Sequence, residues 1–500
     1  MFNFSFGSET SKINNIITEG ANSRMTDKQF LEREIAKWKK SPKRKAMITG
    51  EKYYAGEHDI LSRKRTVIGK DGLVQEVANL PNNKVIDNQY SKMVDQKVNY
   101  LLGKPLTFDT DNKKYEDALK KVFNKKFNRI LKNLGEDSLN GGIGWLYPYY
   151  NEAGELVFRK FESYEILPFW VDADHTILES AVRLYEVEAY EGLQEKIIEK
   201  VEVYDVNGIQ RYELRNGTLI EDMENPSSNH MVFVDDEGNE TGMNWAKIPI
   251  IPFKCNHKEM PLINRVKSLQ DGINIMLSDF ENNMQEDARN TILVIKNLDG
   301  TNLAEFRHNL ATYGAVKVKT VDGQAGEVDT LTVEVNAENY KAILDLFKKA
   351  LIENARGYDA KDDRMNNNPN QMNIQSMYSD IDLDANGMET EYQASFEDLL
   401  WFVNTHLANT GVGNFEGEEV EIVFNRDILI NESESIENCG KSVGILSNET
   451  IIGQHPWISD VEKELQRVKD EKQEAYDEYA NAFNPIDPAA GSGDEDDNNN

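Results

Sequence analysis

Leu262, Val266, Leu269, Ile273, Met276 and Phe280 follow one another at intervals of 4, 3, 4, 3 and 4 residues. A strand turns alternate residues to opposite faces and cannot use such intervals; a helix gathers all six on one side. The pattern predicts a helix over 262–289, roughly 40 Å long at about 1.5 Å per residue. Its seam needs an apolar partner. Tyr340, Ile343, Leu344, Phe347 and Leu351 repeat helical spacing downstream. Between the two, 290–336 reads as short strands at 291–296, 315–320 and 330–335, with a short helix near 302–310. A small β module is therefore expected between two long helices.

The rest of the chain divides by pattern. A partial helical stripe of Phe30, Leu31, Ile35 and Trp38 is interrupted at Ser41-Pro42. An apolar-periodic helix through Tyr90, Val94, Val98, Leu101 and Leu102 stops at Gly103, with Pro105 beyond. Residues 115–139 read as one helix or a helix pair, broken by Gly141-Gly142-Ile143-Gly144 before an aromatic strand at 145–150. From there to about 255 the chain reads as antiparallel β, with strands near 156–161, 181–188, 200–204, 210–214 and 231–234. Asn207-Gly208 and Asn216-Gly217 mark turns. Residues 358–371 are polar and aperiodic, a loop. A helix over 372–409 follows, with a kink or break expected at Asn386-Gly387. Then come a strand at 419–425, a charged helical stretch over 447–479, and an acidic tail from Asn484 that reads as disordered.

With 500 residues, 39 % of them hydrophobic, the chain exceeds one ordinary domain and has material for real cores. Lys and Arg number 56 against 87 Asp and Glu, a net charge of −31. That balance excludes a uniformly basic nucleic-acid binder and disfavours anionic membranes. No apolar run approaches the roughly 18 residues of a spanning helix. Met1-Phe2-Asn3-Phe4-Ser5 does not open a signal peptide. Cys255 and Cys439 could form one disulfide by count, although a reducing cytoplasmic setting is expected. Residues 24–45, net +6, are singled out as the one basic stretch. Their bland reading, a solvated helix face packed on an acidic body, is favoured over a phosphate-contacting arm.

The motifs of common chemistry are missing from the sequence. There is no G-x-x-x-x-G-K-[ST], H-E-x-x-H, C-x-x-C or G-x-S-x-G, and Gly411-Val412-Gly413 lacks the third glycine of a dinucleotide loop. Glu57-His58-Asp59 points three ligand types in different directions, which favours structural roles. Cys255 and His257 have no second pair for zinc. Asp380, Asp382 and Asp384 lack the glycine and terminal glutamate of a calcium loop and read as a solvated face. No enzyme, cofactor or metal is expected.

Several local segments carry a resemblance. Tyr53-Tyr54-Ala55-Gly56-Glu57-His58-Asp59-Ile60-Leu61 with Arg63 and Arg65, Asn82-Asn83-Lys84-Val85, and Tyr100-Leu101-Leu102-Gly103-Lys104-Pro105 come first. Ile248-Pro249-Ile250-Ile251-Pro252-Phe253 follows, and then Ser447-Asn448-Glu449-Thr450 leading to Pro456. In that order, over about 25–480, the chain resembles the portal proteins (head-to-tail connector rings) of long-tailed bacteriophages of Gram-positive bacteria.

The resemblance implies an α+β, multi-domain subunit assembling into a ring, divided along the chain into the following parts. A flexible segment would cover 1–25, an α/β wing 26–258, stem helices 262–289 and 338–357, a small α/β clip 290–337 and a tunnel loop 358–371. A long kinked helix and wing return would cover 372–445, a helical crown 446–484 and a disordered acidic tail 485–500. It implies a homo-oligomeric ring, a dodecamer, at one capsid vertex, through which double-stranded DNA is packaged by a separate terminase ATPase and later ejected. Its partners would be the terminase large subunit, head-tail connector proteins, and major capsid and scaffolding proteins. Its place would be the virion, and the host cytoplasm during assembly. Lys361, Arg364, Asn366, Asn367 and Asn368 would face the channel; Val266, Leu269, Ile273, Met276 and Phe280 would form the oligomer interface. The rival reading is a non-enzymatic oligomeric scaffold or adaptor that never meets DNA.

Overall fold

A computed structural model describes residues 26–68, 72–77, 80–234, 238–287, 292–296, 327–331, 337–359, 371–426, 432–458 and 461–482. The chain divides into two compact units. One holds the described residues up to 359 together with 379–426; the other holds 371–378 and those from 432 onward.

The larger unit opens on two helices, Asp27–Lys40 and Pro42–Tyr54. Thr26 and Gln29 form a capping box at the first; Ser41 caps the second, and Pro42 sits at its first position, where a missing N–H costs nothing. Phe30, Leu31, Ile35 and Trp38 are buried as their spacing requires. They enter a core with Trp145, Phe161, Ile166, Val182, Val201 and Leu219. Some cations of this stretch are spent locally. Lys39 pairs with Glu199, Lys43 pairs with Glu259, and Arg44 Nε donates to Tyr164 O at 3.0 Å.

The core sheet is antiparallel, its strands ordered 218–221, 208–215, 194–205, 178–191 and 166–170, with 227–228 beside 208–215. Asn216 and Gly217 both take positive φ, the geometry of a tight hairpin turn. A second sheet joins 251–254, 143–150 and 156–161. The residues expected as one helix or a pair are two helices, Lys125–Gly141 following Lys113–Val122. Gly142 ends the second at φ +85°, where a Cβ would lie 2.2 Å from Glu259 O, so only glycine fits. Residues 421–423 pair with 107–109 across more than three hundred residues of sequence.

Two expectations change. The helix Gln371–Asn409 runs through Asn386-Gly387 without a break. Glycine in a helix costs about 1 kcal/mol, and the buried Ile381, Ala385, Met388, Tyr392, Phe396 and Leu399 on either side outweigh it at about 1.5–3 kcal/mol for each large side chain. The strand expected at 330–335 lies at Glu327–Leu331, paired with Ile292–Lys296. Residues 315–320, the short helix near 302–310 and the tail from Asn484 lie outside the described residues. In the smaller unit the helices are Glu432–Lys441, Asn448–Gly453 and Val461–Ala482. Cys255 and Cys439 are both free, buried thiols.

Candidate functional site

The predicted long helix spans Ile263–Asp287 and packs against Ala337–Ala355. Phe280 meets Tyr340 with ring centroids 5.1 Å apart, and Asn283 Nδ2 donates to the Tyr340 hydroxyl at 3.0 Å. Further back, a Cβ on Gly272 would lie 2.7 Å from the Phe347 ring. Position rises along one helix as it falls along the other, so the pair is antiparallel. Val266 and Ile273 are fully covered within this chain; Leu269, Met276 and Phe280 keep part of their surface. Ile275, Met284, Ile343 and Leu346 are exposed on the same pair.

A second face of the helix is buried and polar: Gln270, Asn274, Ser278 and Asn282, at intervals of four. Along it runs the extended segment 81–88. Asn83 N–H donates to Asn282 Oδ1 (2.7 Å), Val85 N–H to Ser278 Oγ (2.9 Å) and Asp87 N–H to Asn274 Oδ1 (3.1 Å). The match is metrical. Two extended residues advance about 6.6 Å and four helical residues about 6 Å. Gln270, the longest of the four side chains, closes the series where the chain enters the helix Gln89–Leu102. It accepts from Tyr90 N–H at 3.0 Å and donates to Asp87 O at 2.8 Å.

Residues 53–63 grip the same helix. Tyr53 donates to Asp271 (2.5 Å), Asp59 pairs with Lys267 (2.6 Å) and Arg63 with Asp279 (2.9 Å). His58 Nε2 donates to Tyr53 O at 3.0 Å, and its Nδ1 accepts from Asn274 Nδ2 at 2.7 Å. Burial lowers its pKa, so the ring is neutral with Nε2 protonated. Glu57, His58 and Asp59 thus do not converge. Two of the segments that carried the resemblance, 53–65 and 82–85, hold the long helix.

At the other end of the helix pair lies a charged hub. Asp384 receives Lys97 Nζ (2.8 Å), Arg265 Nη1 (2.7 Å) and Arg356 Nη1 (2.9 Å). Burial alone would raise the Asp384 pKa; Lys97 and Arg265 overcome it and hold it below the usual value. Asp382 pairs with Arg426 at 2.8 Å and accepts from the Tyr100 hydroxyl. Two of the three aspartates read as a solvated face are therefore bound by cations, from partners 28 or more residues away in sequence. Arg356 turns the chain at φ +52°, and its carbonyl accepts from Lys97 at 3.0 Å. Tyr358 exchanges two hydrogen bonds with Gln96, 2.8 and 2.9 Å. The root of the 358–371 segment is thereby fixed. Lys361, Arg364, Asn366, Asn367 and Asn368 lie outside the described residues.

Among the described residues, Glu51, Asp137 and Glu162 are the carboxylates placed to hold a metal ion, their oxygens within 4.8 Å of one another. Lys160 already stands there, 2.8 and 2.9 Å from the Asp137 oxygens and 3.1 Å from Glu162. Glu51 Oε1 is buried with no hydrogen-bond partner. Burial, joined by the charges of Asp137 and Glu162, pushes Glu51 up to about 8. A carboxyl raised in the folded state keeps its proton longer there than in the unfolded chain, so stability falls as pH rises from about 4 toward about 8. Glu51→Gln is expected to melt with wild type at about pH 5 and above it at about pH 9. Equal melting temperatures at both pH values would contradict this.

The family described as "Phage portal protein, SPP1 Gp6-like" matches residues 36–478. The chain belongs to it: this is a phage portal protein, a structural component of the virion that forms an oligomeric ring with capsid and other phage proteins. The portal protein of Bacillus phage SPP1 is 28 % identical over 466 residues, 92 % of this chain and 90 % of that protein. The portal protein of Clostridium phage phiCD119 is 25 % identical over 456 residues, 88 % and 96 % of the two chains. A chain from the neck of an empty GTA particle, computed with C6 symmetry, is 13 % identical at a TM-score of 0.40, over 72 % and 87 %.

Proposed function

We propose that twelve copies form the ring-shaped channel at one capsid vertex, through which a separate terminase ATPase packages double-stranded DNA and through which the DNA later leaves. Assembly takes place in the host cytoplasm. The 263–287 and 337–355 helices are the stem, and residues 290–337, which join them in sequence, dock the terminase large subunit and then head-tail connector proteins. Major capsid and scaffolding proteins surround the wing, residues 26–258. The observation that carries the reading is the exposed apolar surface of the stem: Leu346 is 64 % exposed and Ile343 43 %. Beside them Leu269, Met276 and Phe280 keep surface that a neighbouring subunit would cover, whereas Val266 and Ile273 have none left to offer. Leu346→Asp and Phe280→Asp are expected to remain folded and to shift rings to monomers, because each places a charge in a subunit contact. Intact rings in both, by mass measurement, would remove the stem from the interface.

The loop 358–371 faces the channel in this reading. Asp359, Asp362 and Asp363 outnumber Lys361 and Arg364, so its contact with DNA is weak and blind to sequence, with Asn366, Asn367 and Asn368 offering uncharged donors and acceptors. Lys361→Ala with Arg364→Ala should leave rings unchanged and alter packaging efficiency or retention of packaged DNA. Wild-type packaging and retention in that variant would exclude these side chains from the channel.

A further inference from the structure

The basic segment singled out in the sequence is not the only one. Residues 113–132 carry eight Lys and Arg against two acids, also net +6. Lys113, Lys114, Lys121, Lys125, Lys126 and Arg129 are exposed, and none has a carboxylate partner among the described residues. They ride on two helices separated only by Phe123 and Asn124. Lys125 and Lys126 stand at the start of the second, where the helix dipole disfavours cations. The like charges gathered on this surface repel one another, which opposes local stability.

A second unsatisfied surface has the opposite sign. Strands 178–191 and 194–205 form a long hairpin whose turn contains Gly192 and Leu193. One face pairs Glu186 with Glu199, Glu188 with Ile197 and Tyr190 with Glu195. Like charges directly opposite repel. At the base Lys39 relieves Glu199. Toward the tip Glu188 and Glu195 are exposed and have no cation partner among the described residues. Leu193 is fully exposed, Tyr190 71 % and Ile197 58 %.

We propose that the acidic, apolar-tipped face of this hairpin docks on the 113–129 basic surface of the adjacent copy of the chain, an inference that rests on the ring-forming reading above. A closed ring joins two different patches of one chain at every interface, and these two are complementary. Lysine and arginine stems cover Tyr190, Leu193 and Ile197 while their charged ends meet Glu188 and Glu195. The contact also offsets part of the repulsion between subunits that are each strongly acidic.

The test follows ring formation by the full-length chain across concentration, with circular dichroism checking that each variant folds. Lys121→Glu, Lys125→Glu and Lys126→Glu together, or Glu188→Lys with Glu195→Lys, are expected to raise the concentration at half assembly by about tenfold or more. All five substitutions combined should return it to within about threefold of wild type, because the charges are exchanged rather than removed. Leu193→Ser, which alters no charge, should raise it a few-fold. Unchanged assembly in both charge variants, or no recovery on combining them, overturns the contact while leaving the ring intact. Assembly unchanged with loss of DNA-duplex binding in the lysine variant assigns the patch to phosphate and overturns it equally. A wild-type chain that forms no ring at all overturns the ring-forming reading itself, and this contact with it.

Discussion

Asp384→Ala is expected to lower folding stability by about 3–5 kcal/mol, read as a fall in the denaturant midpoint. Removing the carboxylate strands Lys97, which is 5 % exposed, beside Arg265 and Arg356. An uncompensated buried cation costs more than the ion pair itself contributes. Because Asp384 is held below its usual pKa, its contribution is present above the unfolded value near about 4 and is lost as pH falls through the folded one. Wild type and variant should therefore converge in acid. The same change loosens the turn at Arg356 from which the 358–371 segment leaves. A variant within about 1 kcal/mol of wild type at neutral pH would mean that the hub does not hold this corner.

Asn274→Leu should be nearly as damaging, at about 3 kcal/mol, because it leaves Asp87 N–H, His58 Nδ1 and the Gln270 amide without their partner. The volume is kept, so the loss reports hydrogen bonding rather than a cavity. Hydrogen exchange gives the sharper reading. In wild type the amides of Asn83, Val85 and Asp87 should be protected, and those of Lys84 and Ile86 should exchange faster. Asn274→Leu should abolish protection at Asp87 first. Uniform protection along 83–87 would contradict the side-chain ladder.

The sequence revealed what local spacing controls. Phe30, Leu31, Ile35 and Trp38 form a stripe because they share a helix face, and Asn216-Gly217 forms a turn because its backbone needs positive φ. The 262–280 seam was legible for the same reason. The polar interval of four at Gln270, Asn274, Ser278 and Asn282 was equally written there, but its meaning depends on an extended segment nearly two hundred residues earlier. Asp384 read as solvated because Lys97, Arg265 and Arg356 come from three distant segments. Asn386-Gly387 read as a break because its local cost is visible in sequence, whereas the packing of Met388 and Tyr392 that overrides it is not. The cations of 113–132 escaped notice because Glu116 and Asp117 interrupt the run, yet Lys120 alone among them pairs with Glu116.

The central claim is that this chain closes into a channel. Negative-stain images of the purified full-length protein, with the mass of the particles measured in the same preparation, test it most directly. The account predicts closed rings with a central opening and a mass that is a whole multiple of the subunit. Monomers, or open and unclosed assemblies, across the accessible concentration range would contradict it.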